Sequence, residues 1–109
     1  LHKKWEEIPA RFRAVKAPTR IKVDNNTSEK FTILDVKCKN APGVLYKITK
    51  TLTSLGIQIN TASVSTYGNR VVDIFYIKNA FGYKVDDEKT IEKIKNSILK
   101  ILEQTNFTK

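Results

Sequence analysis

FTILDVKCKNAPGVLYKITKTLTSLGIQIN, residues 31–60, is the stretch whose reading decides the fold. Its first part alternates with period two. Thr32, Leu34, Val36 and Cys38 fall on one face, and Phe31, Ile33, Asp35 and Lys37 on the other, as in a half-buried strand. Asn40-Ala41-Pro42-Gly43 ends that strand. Beyond it the period becomes helical: Val44, Leu45, Ile48, Leu52 and Leu55 form one apolar stripe, with Lys47, Lys50 and Thr53 off it. Gly56 suits the left-handed position that closes a helix. Ile57 to Thr66 is β-rich again. Strand, helix and strand in succession form a crossover unit.

Working outward, Arg20-Ile21-Lys22-Val23-Asp24 alternates as a strand, and Asn25-Asn26-Thr27-Ser28 is a turn cluster. The two segments predict a hairpin with residues 31–38. Downstream, Tyr67-Gly68-Asn69-Arg70 is a tight hairpin signal, with Gly68 and Asn69 expected to supply two positive φ angles. Val71 to Ile77, VVDIFYI, is almost continuously apolar and reads as a central strand covered on both faces. A loop over residues 79–86 leads to a second helix. Asp86 or Asp87 caps it, Glu88 favours its first turn, and Ile91, Ile94, Ile98, Ile101 and Leu102 form its buried stripe. Residues 104–109 read as a polar tail.

The element order is β-β-α-β-β-α. It predicts an α+β, ferredoxin-like fold: a four-stranded antiparallel sheet with two helices on one face. The usual β-α-β-β-α-β form sets its last strand beside the first. Here that last strand is missing, and Ile21 to Asp24 is predicted to fill the same edge, in effect a circular permutation.

The chain has 109 residues, 40% of them hydrophobic and 28% charged, which suffices for one domain with a core and is not the composition of a disordered chain. No run of eighteen apolar residues and no secretory segment is found, so no spanning helix and no membrane partner is expected. Cys38 is the single cysteine and His2 the single histidine. That excludes a disulfide framework, a cysteine zinc site and a Ser-His-Asp or Cys-His centre within the chain. No catalytic residue and no metal site is expected here, and a reducing, cytoplasmic compartment fits.

The net charge is +9. Residues 1–22 hold seven basic side chains against two acidic, and the remainder thirteen against nine. Residues 1–19 read as a linker or arm, with Trp5 expected to pack on a neighbouring domain; residues 20–109 read as the folded domain. A chain that opens on Leu1 is expected to be part of something longer. The basic excess leaves a nucleic-acid-binding domain as one alternative, although the body's lysines alternate with acids as on a solvated surface.

The junction from Lys39 to Leu45 carries the chemistry. Pro42 suits a first helical turn, and Gly43 lets a ligand approach the backbone. The amides of Gly43, Val44 and Leu45 have no acceptor within the helix and carry the positive end of its dipole, so a free carboxylate fits there. The side-chain oxygen of Asn40 can accept from an ammonium. A carboxylate site beside an amine site describes an α-amino acid. The alternative is plainer: Asn40 caps the helix, and Pro42-Gly43 is only a turn.

Asn40-Ala41-Pro42-Gly43-Val44-Leu45 followed by Leu55-Gly56-Ile57-Gln58-Ile59 resembles the ACT domain, a regulatory module that often binds amino acids. The run from Ser65 through Tyr67-Gly68-Asn69-Arg70 and Asp73-Ile74-Phe75-Tyr76 to Phe81-Gly82-Tyr83-Lys84-Val85 is similar to the C-terminal ACT domain of the bifunctional protein-PII uridylyltransferase and uridylyl-removing enzymes. Tandem-ACT plant proteins are similar as well. The resemblance spans roughly residues 18–103. It implies a domain of 20–109 that senses glutamine and regulates a nucleotidyltransferase and hydrolase lying upstream. It implies Mg²⁺ and UTP for that parent, none in this chain, and PII as the parent's partner.

Carried onto this chain, the resemblance implies that Asn40 meets the ligand's amine and the amides of Gly43, Val44 and Leu45 its carboxylate, with Ala41 and Pro42 in the same ligand-binding junction. Ile57, Gln58, Ile59 and Asn60 would line the pocket from this subunit or from a homodimer partner. The family usually has aspartate where Asn40 stands, and a charge-assisted hydrogen bond is about twice as strong as a neutral one. Asp86-Asp87-Glu88 is contiguous and reads as a helix start rather than a metal site. Tyr67 and Tyr83 are expected to pack, and Asp73 to pair with Arg70 or a lysine. An alternative role is a protein–protein interaction module without a small ligand.

Overall fold

In the computed structural model, which describes residues 19–107, β1 (Arg20–Asp24), β2 (Thr32–Lys39), α1 (Val44–Ser54), β3 (Gln58–Tyr67), β4 (Arg70–Lys78) and α2 (Glu88–Phe107) follow one another in the order read from the sequence. The arm at residues 1–18, with Trp5, lies outside the described residues. The strands form one sheet in the order β1-β2-β4-β3, and all three pairings are antiparallel. β1 therefore occupies the edge that a final strand would otherwise take. β2 and β3 run parallel with β4 between them, which is why their connection must cross over as α1.

Residue parity decides the layers. Leu34, Val36 and Cys38 of β2 and Val71, Phe75 and Ile77 of β4 are buried on one face. They pack with Val44, Ile48 and Leu52 of α1 and Ile94, Ile98 and Leu102 of α2 in one core. The opposite face of β4 has no covering layer among the described residues: Val72, Ile74 and Tyr76 are only half-buried, so the strand is central without being covered on both sides. Phe31 and Tyr76 meet edge-to-face there at 6.1 Å, with Lys78 over the Phe31 ring at 4.7 Å. Leu45 leaves the stripe of α1 and is 40% exposed.

Other local expectations change too. The β3–β4 turn has a positive φ at Gly68 alone, 63°, the pattern of a turn with glycine in its first central position rather than two left-handed residues. Asp87 caps α2: its Oδ2 accepts from the Thr90 amide at 3.2 Å and the Thr90 hydroxyl at 2.8 Å. α2 continues through Phe107, so the backbone from 104 to 107 is helix rather than tail. Tyr67 and Tyr83 stand free of the core, 66% and 71% exposed. No helix among the described residues is long and apolar enough to cross a membrane.

The loop before α2 is pinned by polar groups. The fully buried Thr32 hydroxyl accepts from the Val85 amide at 2.8 Å and donates to Asn25 Oδ1, while Asn25 Nδ2 donates to the Val85 carbonyl at 2.9 Å. Replacing the hydroxyl by a methyl of equal shape leaves a buried amide without an acceptor. Thr32→Val is therefore expected to cost about 1–3 kcal/mol, lowering the urea midpoint with the slope unchanged.

Candidate functional site

The site begins where β2 ends. The Asn40 amide donates to the Asn69 carbonyl at 2.7 Å, tying the chain to the β3–β4 turn before it climbs into α1. Gly43 then takes a left-handed conformation, φ 77°, as the residue that opens the helix. A glycine suits that angle because a Cβ there is strained.

No side chain caps α1. The structure thus answers the question left open at Asn40, whose side chain makes no hydrogen bond among the described residues. The Val44 amide reaches back to the Ala41 carbonyl at 3.3 Å, so one of the three expected amides is spent on the turn. The amides of Gly43, Leu45 and Tyr46 have no acceptor among the described residues. They concentrate the positive end of the helix dipole at this point.

These amides border a cleft of about 190 Å³. Asn40, Ala41, Gly43, Val44, Leu45 and Tyr46 form one wall, and Val64, Thr66, Val71 and Asp73 the other. The cleft exists because α1 leaves the far half of β3 uncovered. Ala62, Val64 and Thr66 share the helix-side face of the sheet, yet all are exposed.

Of the residues expected from sequence, Pro42 is exposed at the junction but does not line the cleft. Ile57, Gln58, Ile59 and Asn60 sit at the opposite end of β3, roughly 20 Å away along the strand. Ile57 is buried in the core, Gln58 Nε2 donates to the Ala80 carbonyl at 3.1 Å, and Asn60 Nδ2 donates to Thr61 Oγ1 at 2.9 Å. Within one subunit the fold does not bring this quartet to the junction.

Asp73 was not singled out for the site by sequence reasoning. It lies on the helix-side face of β4, opposite Val36 on β2 and Val64 on β3, and is 1% exposed. Neither of its oxygens has a hydrogen-bond partner, so the expected pairing with Arg70 or a lysine is not what holds it. Burial pushes its carboxyl above the usual aspartate range. Cys38, on the same face, is pushed up to about 11, first by burial and then by the charge of Asp73. The signal was available in the sequence: counting back through a two-residue turn from Tyr67 and Arg70 sets Val64 opposite Asp73.

Residues 27–104 match the protein family described as the ACR family N-terminal ACT domain. The bifunctional uridylyltransferase/uridylyl-removing enzyme of Azospirillum brasilense is 40% identical over 93 residues, covering 85% of this chain and 10% of the relative. Its counterpart in Rhodospirillum rubrum is 37% identical over 105 residues, covering 96% and 11%. That of Gluconobacter oxydans is 34% identical over 98 residues, covering 90% and 10%. The chain spans about a tenth of the length of these curated relatives. No solved structure matches it.

A carboxyl whose native pKa is raised binds its proton more tightly folded than unfolded, so its contribution to stability falls as pH rises above about 4. Asp73→Val, which matches the flanking valines, is expected to raise stability at pH 7 by about 1–3 kcal/mol. The gain shrinks below pH of about 4, where the native aspartate is protonated in both states. Urea titrations at the two pH values check this; destabilisation at pH 7 would mean that an internal partner holds the carboxylate.

Proposed function

The chain belongs to the ACT domain family, and we propose that it is the amino-acid-sensing regulatory domain of a protein-PII uridylyltransferase/uridylyl-removing enzyme, with glutamine as the ligand. The observation that carries this reading is the uncapped start of α1. Three backbone donors without acceptors face a cleft of small-metabolite size, and a free carboxylate supplies what they lack. That the relatives are bifunctional uridylyltransferase/uridylyl-removing enzymes supports the parent's identity. In that parent, catalysis on PII with UTP and Mg²⁺ belongs to upstream parts, and this domain contributes control of nitrogen-status signalling.

The mechanism is a population shift. Ligand in the cleft favours one docking of the domain on the catalytic parts, and coupling of about 1–3 kcal/mol changes activity severalfold or more. Sensing an abundant metabolite needs only weak binding; a Kd near 1 mM corresponds to about −4 kcal/mol.

A second reading is favoured by β3. It is a ten-residue edge strand exposed along almost its whole length, including Val64, 47% exposed. Such an edge pairs readily with another strand. On this reading the domain is an interaction module, forming a homodimer or docking within its parent.

Calorimetric titration of the chain with a panel of amino acids separates the two. The sensing reading expects heat with glutamine at a Kd near millimolar. Gly43 lines the cleft, and a Cβ there meets nothing within 4 Å, so Gly43→Val adds bulk at the site without an internal clash. It is expected to keep the fold by circular dichroism, at a strain of about 1–2 kcal/mol, and to weaken glutamine binding. Absence of heat with every amino acid, together with a dimer by light scattering, would establish the interaction reading instead.

A further inference from the structure

Three polar side chains are buried among the described residues: Thr32, Thr51 and Asp73. Thr32 is fully hydrogen-bonded, and Thr51 donates to the Lys47 carbonyl at 2.8 Å. Asp73 alone has neither oxygen satisfied, although it is the one of the three that can carry a charge. Burying an unpaired carboxylate costs more than any other polar burial in this fold. A side chain retained at that cost in the floor of an open cleft calls for a partner that arrives from outside.

The surroundings narrow what that partner is. Val36 and Val64 flank Asp73 across the sheet, and Val44 and Val71 line the same cleft, so no neighbouring side chain on the sheet offers its oxygens a donor. Thr66, two residues along β3 from Val64, adds a hydroxyl acceptor to the cleft. No group of three or more potential metal ligands occurs among the described residues, and a hard cation takes six or more oxygens. An ammonium needs only two or three acceptors and carries the charge that Asp73 lacks. On the facing wall stand the free amides of Gly43, Leu45 and Tyr46, which carry the opposite sign.

We propose that Asp73 takes the ammonium of an α-amino acid whose carboxylate lies on the α1 amides, with Asn40 only at the rim. This assignment rests on the amino-acid reading of the cleft and adds the residue that gives it charge selectivity. An acid without an amine leaves Asp73 buried and unpaired, and is rejected for that reason.

The test compares glutamine with its analogue lacking the α-amine, 4-carbamoylbutanoate, by calorimetry on the 109-residue chain and on Asp73→Asn and Asn40→Ala, with folding checked by amide NMR. The wild-type chain is expected to prefer glutamine by about tenfold or more. Asp73→Asn abolishes that preference, while Asn40→Ala leaves most of it in place. Asp73→Ser serves as a second variant with the same expectation. A preference that survives at Asp73→Asn, or a wild-type chain that binds both compounds alike, overturns the assignment and leaves the amino-acid reading standing. Binding of neither glutamine nor any other amino acid by the wild-type chain overturns both.

Discussion

β4 pairs antiparallel with β2 on one side and with β3 on the other, and the rest of the molecule follows from that double pairing. It sets β2 and β3 parallel with a strand between them, so the chain leaving β2 has to pass over the sheet before β3 can begin. α1 is that passage. It starts at the end of the sheet where β4 also starts, held there by the Asn40 amide on the Asn69 carbonyl. The helix runs beside the start of β3 and leaves the far half of that strand exposed. The cleft is what this incomplete cover leaves behind.

Elsewhere the chain satisfies most of its buried groups, one oxygen of the half-buried Asp35 on the outer face of β2 aside. Thr32 joins the first hairpin to the loop before α2, Asp87 caps α2, and the Asn79 side chain accepts from the Phe81 and Tyr83 amides to order the loop between them. Two exceptions stand out: an eleven-residue helix without a side-chain cap, and a buried carboxylate without a donor. They carry opposite charge and border one cleft. Two local rules broken at one place, with both oxygens of a fully buried carboxylate unpaired, mark a site at which stability is traded for binding.

Much of this was legible in the residues. Period-two alternation over residues 20–24 and 31–38 put β1 and β2 side by side, and the missing final strand left one edge for β1 to fill. A ligand-accessible turn with open amides could be read from residues 40–45, although the Val44 amide is spent on the Ala41 carbonyl and that of Tyr46 is open in its place. Three things could not. Helical spacing places Leu45 in the stripe of α1, but how far the helix reaches over the sheet decides that it faces outward. The apolar run at residues 71–77 looks two-sided, because hydrophobicity alone does not say that one face lacks a layer. The quartet at residues 57–60 opens the strand whose other end lines the cleft, and direction along a strand is a property of the assembled sheet.

The central claim is that the start of α1 and Asp73 are two sides of one recognition site. An amide-resolved NMR titration of the chain with glutamine tests it most directly. The account predicts that the largest shifts fall at Gly43, Leu45, Tyr46 and Asp73, with Thr66 following. Shifts confined to residues 57–60, or to the outer face around Ile74 and Tyr76, would contradict it.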